Sequence, residues 1–422
     1  MSSRIHTEQA PTLDTPWPFL GMAQLFALTG LVLLAFHARL IVRNLVGDPA
    51  VVSMVHLFTL GTITMAMMGA LYQWVPVVSG SSPVPARKAH LQFVLFTLGV
   101  LVFVPGIATG STPLLVIGGL ALESGIGLFL YNIASIGLLR RVRLPGTALV
   151  ATGLAALAGT AILGGLMAAR LATRAVVPAS WLSVHLILGL GGFAGFVLAG
   201  VSYRLLPMFL PAPSHRPRAG WVLGLGLAAL VTGVLEAEVP SFPAAIPLLA
   251  LMGAGLFYLL DVSQYWRERR RRTPDGLLLL VGASHLGLVA ALITSGLALA
   301  TGQDLWPAAI ACSVLGWYLL AWLGFSQRIL PFIGWLHGMR AGRRDTPHVT
   351  VLWPPLFGWA MSIGALAGTG GVLAGILIHL TWLIQVGALL LAGSIVWFHA
   401  GYWRMFAQVR HPKVGWPGGR FR

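Results

Sequence analysis

The sequence has 422 residues, 57% of them hydrophobic and only 9% charged, with a mean hydropathy of +0.84. That composition excludes a water-soluble globular domain. The net charge of +16 would suit nucleic acid, but the placement of the basic residues points to a lipid bilayer instead.

The polar stretch 1–16 runs directly into a full-length apolar run, so no cleaved signal peptide is expected. Apolar runs then follow at about 17–42, 51–76, 89–110, 113–139, 146–170, 179–207, 220–236, 243–266, 276–301, 306–333, 351–370 and 372–405. A backbone in hydrocarbon must satisfy its own hydrogen bonds, and these runs do not alternate, so each reads as a helix. The run 220–236 is short for a span, with Pro240 and Pro243 bracketing a turn after it. The last two runs are divided only by the glycine-rich stretch Gly368–Gly375. The expected fold is an all-α polytopic membrane protein with about twelve transmembrane helices, forming a single bundle over 17–405. A basic tail follows at 406–422.

Three runs close alike, with Tyr72-Gln73-Trp74-Val75-Pro76, Tyr203-Arg204-Leu205-Leu206-Pro207 and Gln327-Arg328-Ile329-Leu330-Pro331. The copies lie about 130 and about 125 residues apart, with four runs in each interval. This spacing divides the bundle into three arcs of four helices, about 17–139, 146–266 and 276–405. Of the 27 basic residues, only Arg39, Arg43, Arg170 and Arg174 fall on one side of this topology. The positive-inside rule then places both termini in the cytoplasm and the chain in the cell's inner membrane. The run Arg269–Arg272 reads as a cytoplasmic loop against anionic lipid, not as a nucleic-acid site.

The twelve histidines divide by depth. His6, His215, His337, His348 and His411 fall in loops or tails, and His90 and His399 near helix ends, where interfacial anchoring is the ordinary role. His56, His185 and His379 each lie a few residues inside the outer start of a run, and His37 ends the first run at a similar level. Four histidines on four helices therefore share one outer layer. Separate helix–helix hydrogen bonds would explain them; so would ligation of heme iron or copper, because neutral imidazole serves both metals. The expected axial pair for a heme is His56 and His379, with His37 competing and His185 a further ligand candidate. His285 lies nearer mid-membrane and reads equally as a core histidine or a ligand. Arg39, Arg43, Arg170 and Arg174 run against the charge bias, and they would suit heme propionates or lipid headgroups. Glu123 is the one carboxylate deep in a run, a candidate proton relay or a protonated hydrogen-bonding group. Asp261 reads as structural. The lone Cys312 excludes an intrachain disulfide and a multi-cysteine metal site. No phosphate loop, nucleophilic triad or paired-carboxylate site is visible.

Twelve helices in three arcs, with His56-Leu57-Phe58-Thr59-Leu60-Gly61 opening the second helix and Tyr72 to Pro76 closing it, resemble the catalytic subunit of heme–copper oxidases and nitric oxide reductases. The stretch from His185-Leu186-Ile187-Leu188-Gly189 to Pro207-Met208-Phe209 is similar in style to short, divergent relatives of that subunit. The resemblance implies a b-type heme held by His56. The chain departs from the family's pattern in three places. His185 is followed by Leu186 where the family has Pro, the run 220–236 has no histidine pair, and the run 306–333 has no histidine. The resemblance therefore implies a scaffold without the usual copper site, and oxygen or nitric oxide reduction by the binuclear mechanism is not expected. Electron transfer or a diatomic-gas role beside a redox partner or respiratory-complex subunits is the leading expectation. A transporter of copper, heme or another small solute and a non-catalytic assembly subunit are the alternatives.

Overall fold

The computed structural model describes residues 13–138, 145–213, 218–239, 241–243, 245–340 and 346–410. Arg140, Arg141, Arg143, His215, Arg216, Pro240, Arg343, Arg344, residues 1–12 with His6 and residues 411–422 with His411 lie outside those residues. The described chain is 86% helical and has no strands.

Twelve helices are long and apolar enough to cross a membrane. They are α1 (Pro16–Val42), α2 (Pro49–Ser79), α3 (Ala86–Thr109), α4 (Thr112–Ser135), α5 (Pro145–Ala172) and α6 (Ala179–Phe209). They continue with α7 (Ala219–Glu238), α8 (Ala245–Glu268), α9 (Gly276–Thr301), α10 (Trp306–Met339), α11 (Pro355–Leu377) and α12 (Thr381–Arg410). The chain is a multi-span helical membrane protein.

Local chemistry sets several boundaries. Asp48 caps α2 by accepting from the Ala50 amide at 2.9 Å, with Pro49 in the first turn, where its missing N–H costs nothing. Asp275 caps α9 through the Leu278 amide, and α2, α3 and α9 end on the left-handed glycines Gly80, Gly110 and Gly302. The helix expected to be short, α7, has 20 residues, about 30 Å at 1.5 Å per residue, which matches a hydrocarbon core.

One expected boundary is corrected. The Gly368–Gly375 stretch is no loop: α11 runs through it. Its glycines let α12 approach. A Cβ on Gly368 would meet the Leu391 backbone at 2.5 Å, and one on Gly375 would meet the Ile384 backbone at 2.7 Å. The chain turns later, at Ile378–Leu380, where His379 takes φ +54°. A similar glycine seam joins α3 to α4. A Cβ on Gly118 would lie 2.4 Å from the Phe103 amide nitrogen, and one on Gly99 2.7 Å from that of Leu122.

Contacts between connections fix the sidedness. At one end, Arg410 pairs with Asp14 at 2.8 Å, Arg328 and Arg271 with Asp275, and the Arg270 amide with the Leu210 carbonyl. At the other end, Asn44 donates to Asp304 and the Thr112 hydroxyl to the Ala172 carbonyl. The arginine-rich and arginine-poor sides read from the sequence are thus opposite ends of the bundle. The first and last helices, α1 and α12, pack together: the Tyr402 hydroxyl donates to the Trp17 carbonyl, and their rings stack at 3.7 Å. His399 joins this seam, bonded to Gln24 and Trp403, and the His90 ring nitrogen bonds the Asp14 carbonyl.

The three helices that close alike are the most buried. In α2, α6 and α10, 67%, 67% and 78% of the most apolar stretch is buried, against 28–56% elsewhere, so these three form the inside of the bundle. Their shared closing residue is a polar tie within each arc. Tyr72 accepts from Asn132 of α4 at 3.0 Å and donates to Gln92 of α3; Tyr203 donates to Asp261 of α8 at 2.9 Å; Gln327 donates to Ser362 of α11 at 3.0 Å. A buried polar group needs a partner, and in each arc a neighbouring helix supplies one.

Candidate functional site

The same three inner helices share a rarer feature. Each opens as an α-helix and then widens into a π-helical stretch: Leu57–Thr64 in α2, Ile187–Gly195 in α6 and Cys312–Leu319 in α10. π-Helix is uncommon, is usually a single turn, and concentrates at functional sites because it re-aims side chains and frees carbonyls. Here two groups take up the altered pattern. The Thr62 hydroxyl bonds back to the Leu57 carbonyl, and the Tyr318 hydroxyl of α10 donates to the Leu190 carbonyl of α6 at 2.6 Å.

The π-stretches of all three helices line one cavity of about 380 Å³, with α1, α3, α4, α5 and α11 completing its wall. Its lining is almost wholly apolar. The titratable side chains among it are His56, His185 and Glu123.

His56 closes the α-helical opening Pro49–His56, about 10 Å below its start at 1.5 Å per residue. His185 lies in the matching opening Ala179–Leu186, about 9 Å below its start. The two rings face each other with centroids 6.5 Å apart and planes 28° apart. The His56 Nδ1 bonds the Val52 carbonyl at 2.8 Å. A carbonyl only accepts, so Nδ1 carries the proton and Nε2 keeps a free lone pair. That is the usual state of a metal-binding imidazole, which is oriented through its other nitrogen. The His185 ring approaches the Thr160 backbone, and its Nδ1 is buried without a hydrogen bond of ordinary geometry.

Small residues on α5 make room beside the rings. A Cβ on Gly164 would sit 3.0 Å from the His185 Cε1, and one on Gly165 would sit 3.2 Å from a Glu123 carboxylate oxygen. Glu123 and His185 therefore flank consecutive glycines of one helix turn.

The other expected site residues are placed differently. His379 is exposed in the turn between α11 and α12 instead of a few residues inside a span, because α11 ends later than its glycines suggested. His37 is partly buried on α1 and is not part of the cavity wall. His285 is enclosed by its own fold: Nδ1 bonds the Val281 carbonyl at 2.6 Å, and Nε2 receives the Tyr258 hydroxyl at 3.2 Å, so neither nitrogen has a free lone pair. Arg39, Arg43 and Arg174 are exposed, and none of the four outer arginines lines the cavity. Arg170 donates Nε to the Val176 carbonyl at 2.7 Å and lies over the Trp181 ring. Asp261 is 2% exposed and bound by Tyr203 and Arg218, the structural role expected of it. Among the described residues, no three His, Cys, Asp or Glu side chains converge as metal ligands. The site is a two-imidazole arrangement.

The sequence placed His56 and His185 in matched repeat positions but left their distance open. The π-stretches have no periodicity of their own in the apolar runs. The glycines Gly61, Gly189, Gly191 and Gly195 lie in the two π-stretches that follow a histidine. No protein-family model matches the chain, and no curated protein matches it.

Proposed function

We propose that the chain is a heme-binding integral membrane protein, with His56 and His185 the residues that would hold the heme, serving electron transfer or a diatomic-gas response. The facing pair of imidazoles in an apolar cavity is the observation that carries this reading. The two ring centroids lie 6.5 Å apart in the wall of one cavity. The free lone pair of His56, the buried His185 ring and the small residues beside them suit such a group. An iron porphyrin supplies one-electron chemistry when bound.

The chain's own contribution is mechanical and electrostatic. The Val52 carbonyl holds the His56 tautomer and ring direction. The apolar wall excludes water, which favours a neutral or singly charged centre over a more highly charged one. The outer arginines stand apart from the cavity, so propionate binding by them is not part of this proposal. Membership of the heme–copper oxidase superfamily is the architectural side of it, supported by the three-arc arrangement and by the inner position of the second helix of each arc.

The same two imidazoles would also hold a bare copper(I) ion in two-coordinate geometry, which suits a copper transporter. A pyridine hemochrome spectrum with metal analysis on purified protein separates the two. A Soret band with about one iron per chain supports the heme reading. Copper without a Soret band, with copper uptake into proteoliposomes, moves the assignment to transport. Protein free of both metals after expression with excess heme and copper would sink both.

A further inference from the structure

One ionisable side chain of the histidine cavity takes no part in holding a metal. Glu123 lies near the middle of α4, about 17 Å from Thr112 and about 18 Å from Ser135 at 1.5 Å per residue. It is the one acidic side chain among the described residues that line the cavity. No hydrogen bond or ion pair joins it to another described residue, either histidine included. A Cβ on Gly165 would meet its carboxylate oxygen at 3.2 Å, one residue along α5 from the glycine beside the His185 ring.

The charged and titratable groups on the neighbouring helices are held elsewhere. On α3, Arg87, Lys88 and His90 lie in the first five residues, at the arginine-rich end. There Lys88 sits 5.6 Å over the Tyr131 ring of α4, and the His90 ring nitrogen bonds the Asp14 carbonyl. On α5, Arg170 lies at the opposite end and bonds the Val176 carbonyl. On α2, the Tyr72 hydroxyl is engaged with Gln92 and Asn132. His56 of α2 and His185 of α6 remain as the titratable groups that share the cavity with Glu123.

A carboxylate in hydrocarbon without a counter-charge is costly, so Glu123 is either the neutral acid or the partner of a positive centre. The two imidazoles are where such a centre would be held. In a low-dielectric cavity a change in that centre's charge is itself costly, and a proton moving with the electron cancels it. The cavity wall includes Val46 and Gly47, exposed in the α1–α2 connection, so the cavity reaches the arginine-poor end of the bundle.

We propose that Glu123 takes up one proton for each electron gained by the metal centre of this cavity, and releases it when the electron leaves. In reduction, an electron from a one-electron donor goes to the metal, and a proton from the arginine-poor side goes to a Glu123 carboxylate oxygen. The net charge of the cavity is unchanged, and reoxidation reverses both movements. This rests on the metal reading above and adds that electron transfer here moves a proton.

The test is a potentiometric titration of the heme-loaded full chain in phosphatidylcholine nanodiscs at several pH values, with infrared spectra of the metal-free chain alongside. Because reduction binds a proton, the midpoint potential should fall as pH rises. The slope should approach about 59 mV per pH unit, the one-electron equivalent of a tenfold change in proton concentration. Glu123→Gln, which keeps the shape and cannot ionise, should hold the potential level with pH while heme content and the gel-filtration profile stay as in the wild type. In the metal-free chain, a carboxyl C=O band should fade as pH rises and be missing from Glu123→Gln. A pH-independent potential in the wild type would overturn the proposal. So would an equal slope in the folded variant, which would put the proton on another group such as a propionate, or identical carboxyl bands in both proteins. Absence of a Soret band after heme loading is a different failure: it removes the metal reading, and the coupling with it.

Discussion

Replacing Gly164 by alanine should separate metal binding from stability. A Cβ there would lie 3.0 Å from the His185 Cε1, tighter than ordinary contact, so the imidazole must retreat by a few tenths of an ångström. Metal–nitrogen distances are held to about 0.2 Å, and disturbing the groups that orient a ligand costs about 10–100-fold in metal affinity. The expected loss is at least about tenfold, or about 1.4 kcal/mol. The helix itself should not suffer, because alanine exceeds glycine by up to about 1 kcal/mol in helix propensity. Gly165→Ala is the internal control: its Cβ would meet a Glu123 oxygen at 3.2 Å, the movable end of a side chain. The assay is metal content and absorption spectrum on purified protein, alongside the thermal midpoint. Full loading with an unaltered spectrum in Gly164→Ala, or equal loss in Gly165→Ala, would refute the claim that His185 is a ligand set by the α5 surface.

Other outcomes follow from the same geometry. His56→Ala and His185→Ala should each lower bound metal several-fold, whereas His379→Ala, altering an exposed turn residue, should leave metal content and spectrum unchanged; equal effects from all three would contradict the pairing. Gly118→Ala places a Cβ 2.4 Å from the Phe103 nitrogen and should destabilise the α3–α4 seam by about 1–3 kcal/mol, read as a lower unfolding midpoint with the metal site intact. Asp261→Ala leaves Tyr203 and Arg218 without their shared acceptor. Because Arg218 is half exposed, the expected cost is limited to about 1–3 kcal/mol, and an unchanged midpoint would show that this buried carboxylate is dispensable.

Hydropathy alone determined that the chain spans a membrane about twelve times, because the only physics needed is the cost of leaving a peptide group unpaired in hydrocarbon. The repeat at Pro76, Pro207 and Pro331 also marked α2, α6 and α10 as equivalent, and the fold gives them one position, inside the bundle, each tied by a polar residue to a neighbour in its arc. The glycines of Gly368–Gly375 misled the reading, because in lipid glycine serves close helix packing as readily as it breaks a helix. That error moved His379 into a span and made it the partner of His56.

Only the tertiary structure decided which histidines meet. Depth along a helix is legible from residue count, but the direction in which a side chain points depends on helix rotation and on where the pitch widens. The stretches Leu57–Thr64 and Ile187–Gly195 alter that pitch just past His56 and His185. Their stability comes from neighbours such as Tyr318 on the Leu190 carbonyl, a contact 128 residues apart in the chain. The sequence therefore named the candidates, and long-range packing joined two of them across a cavity.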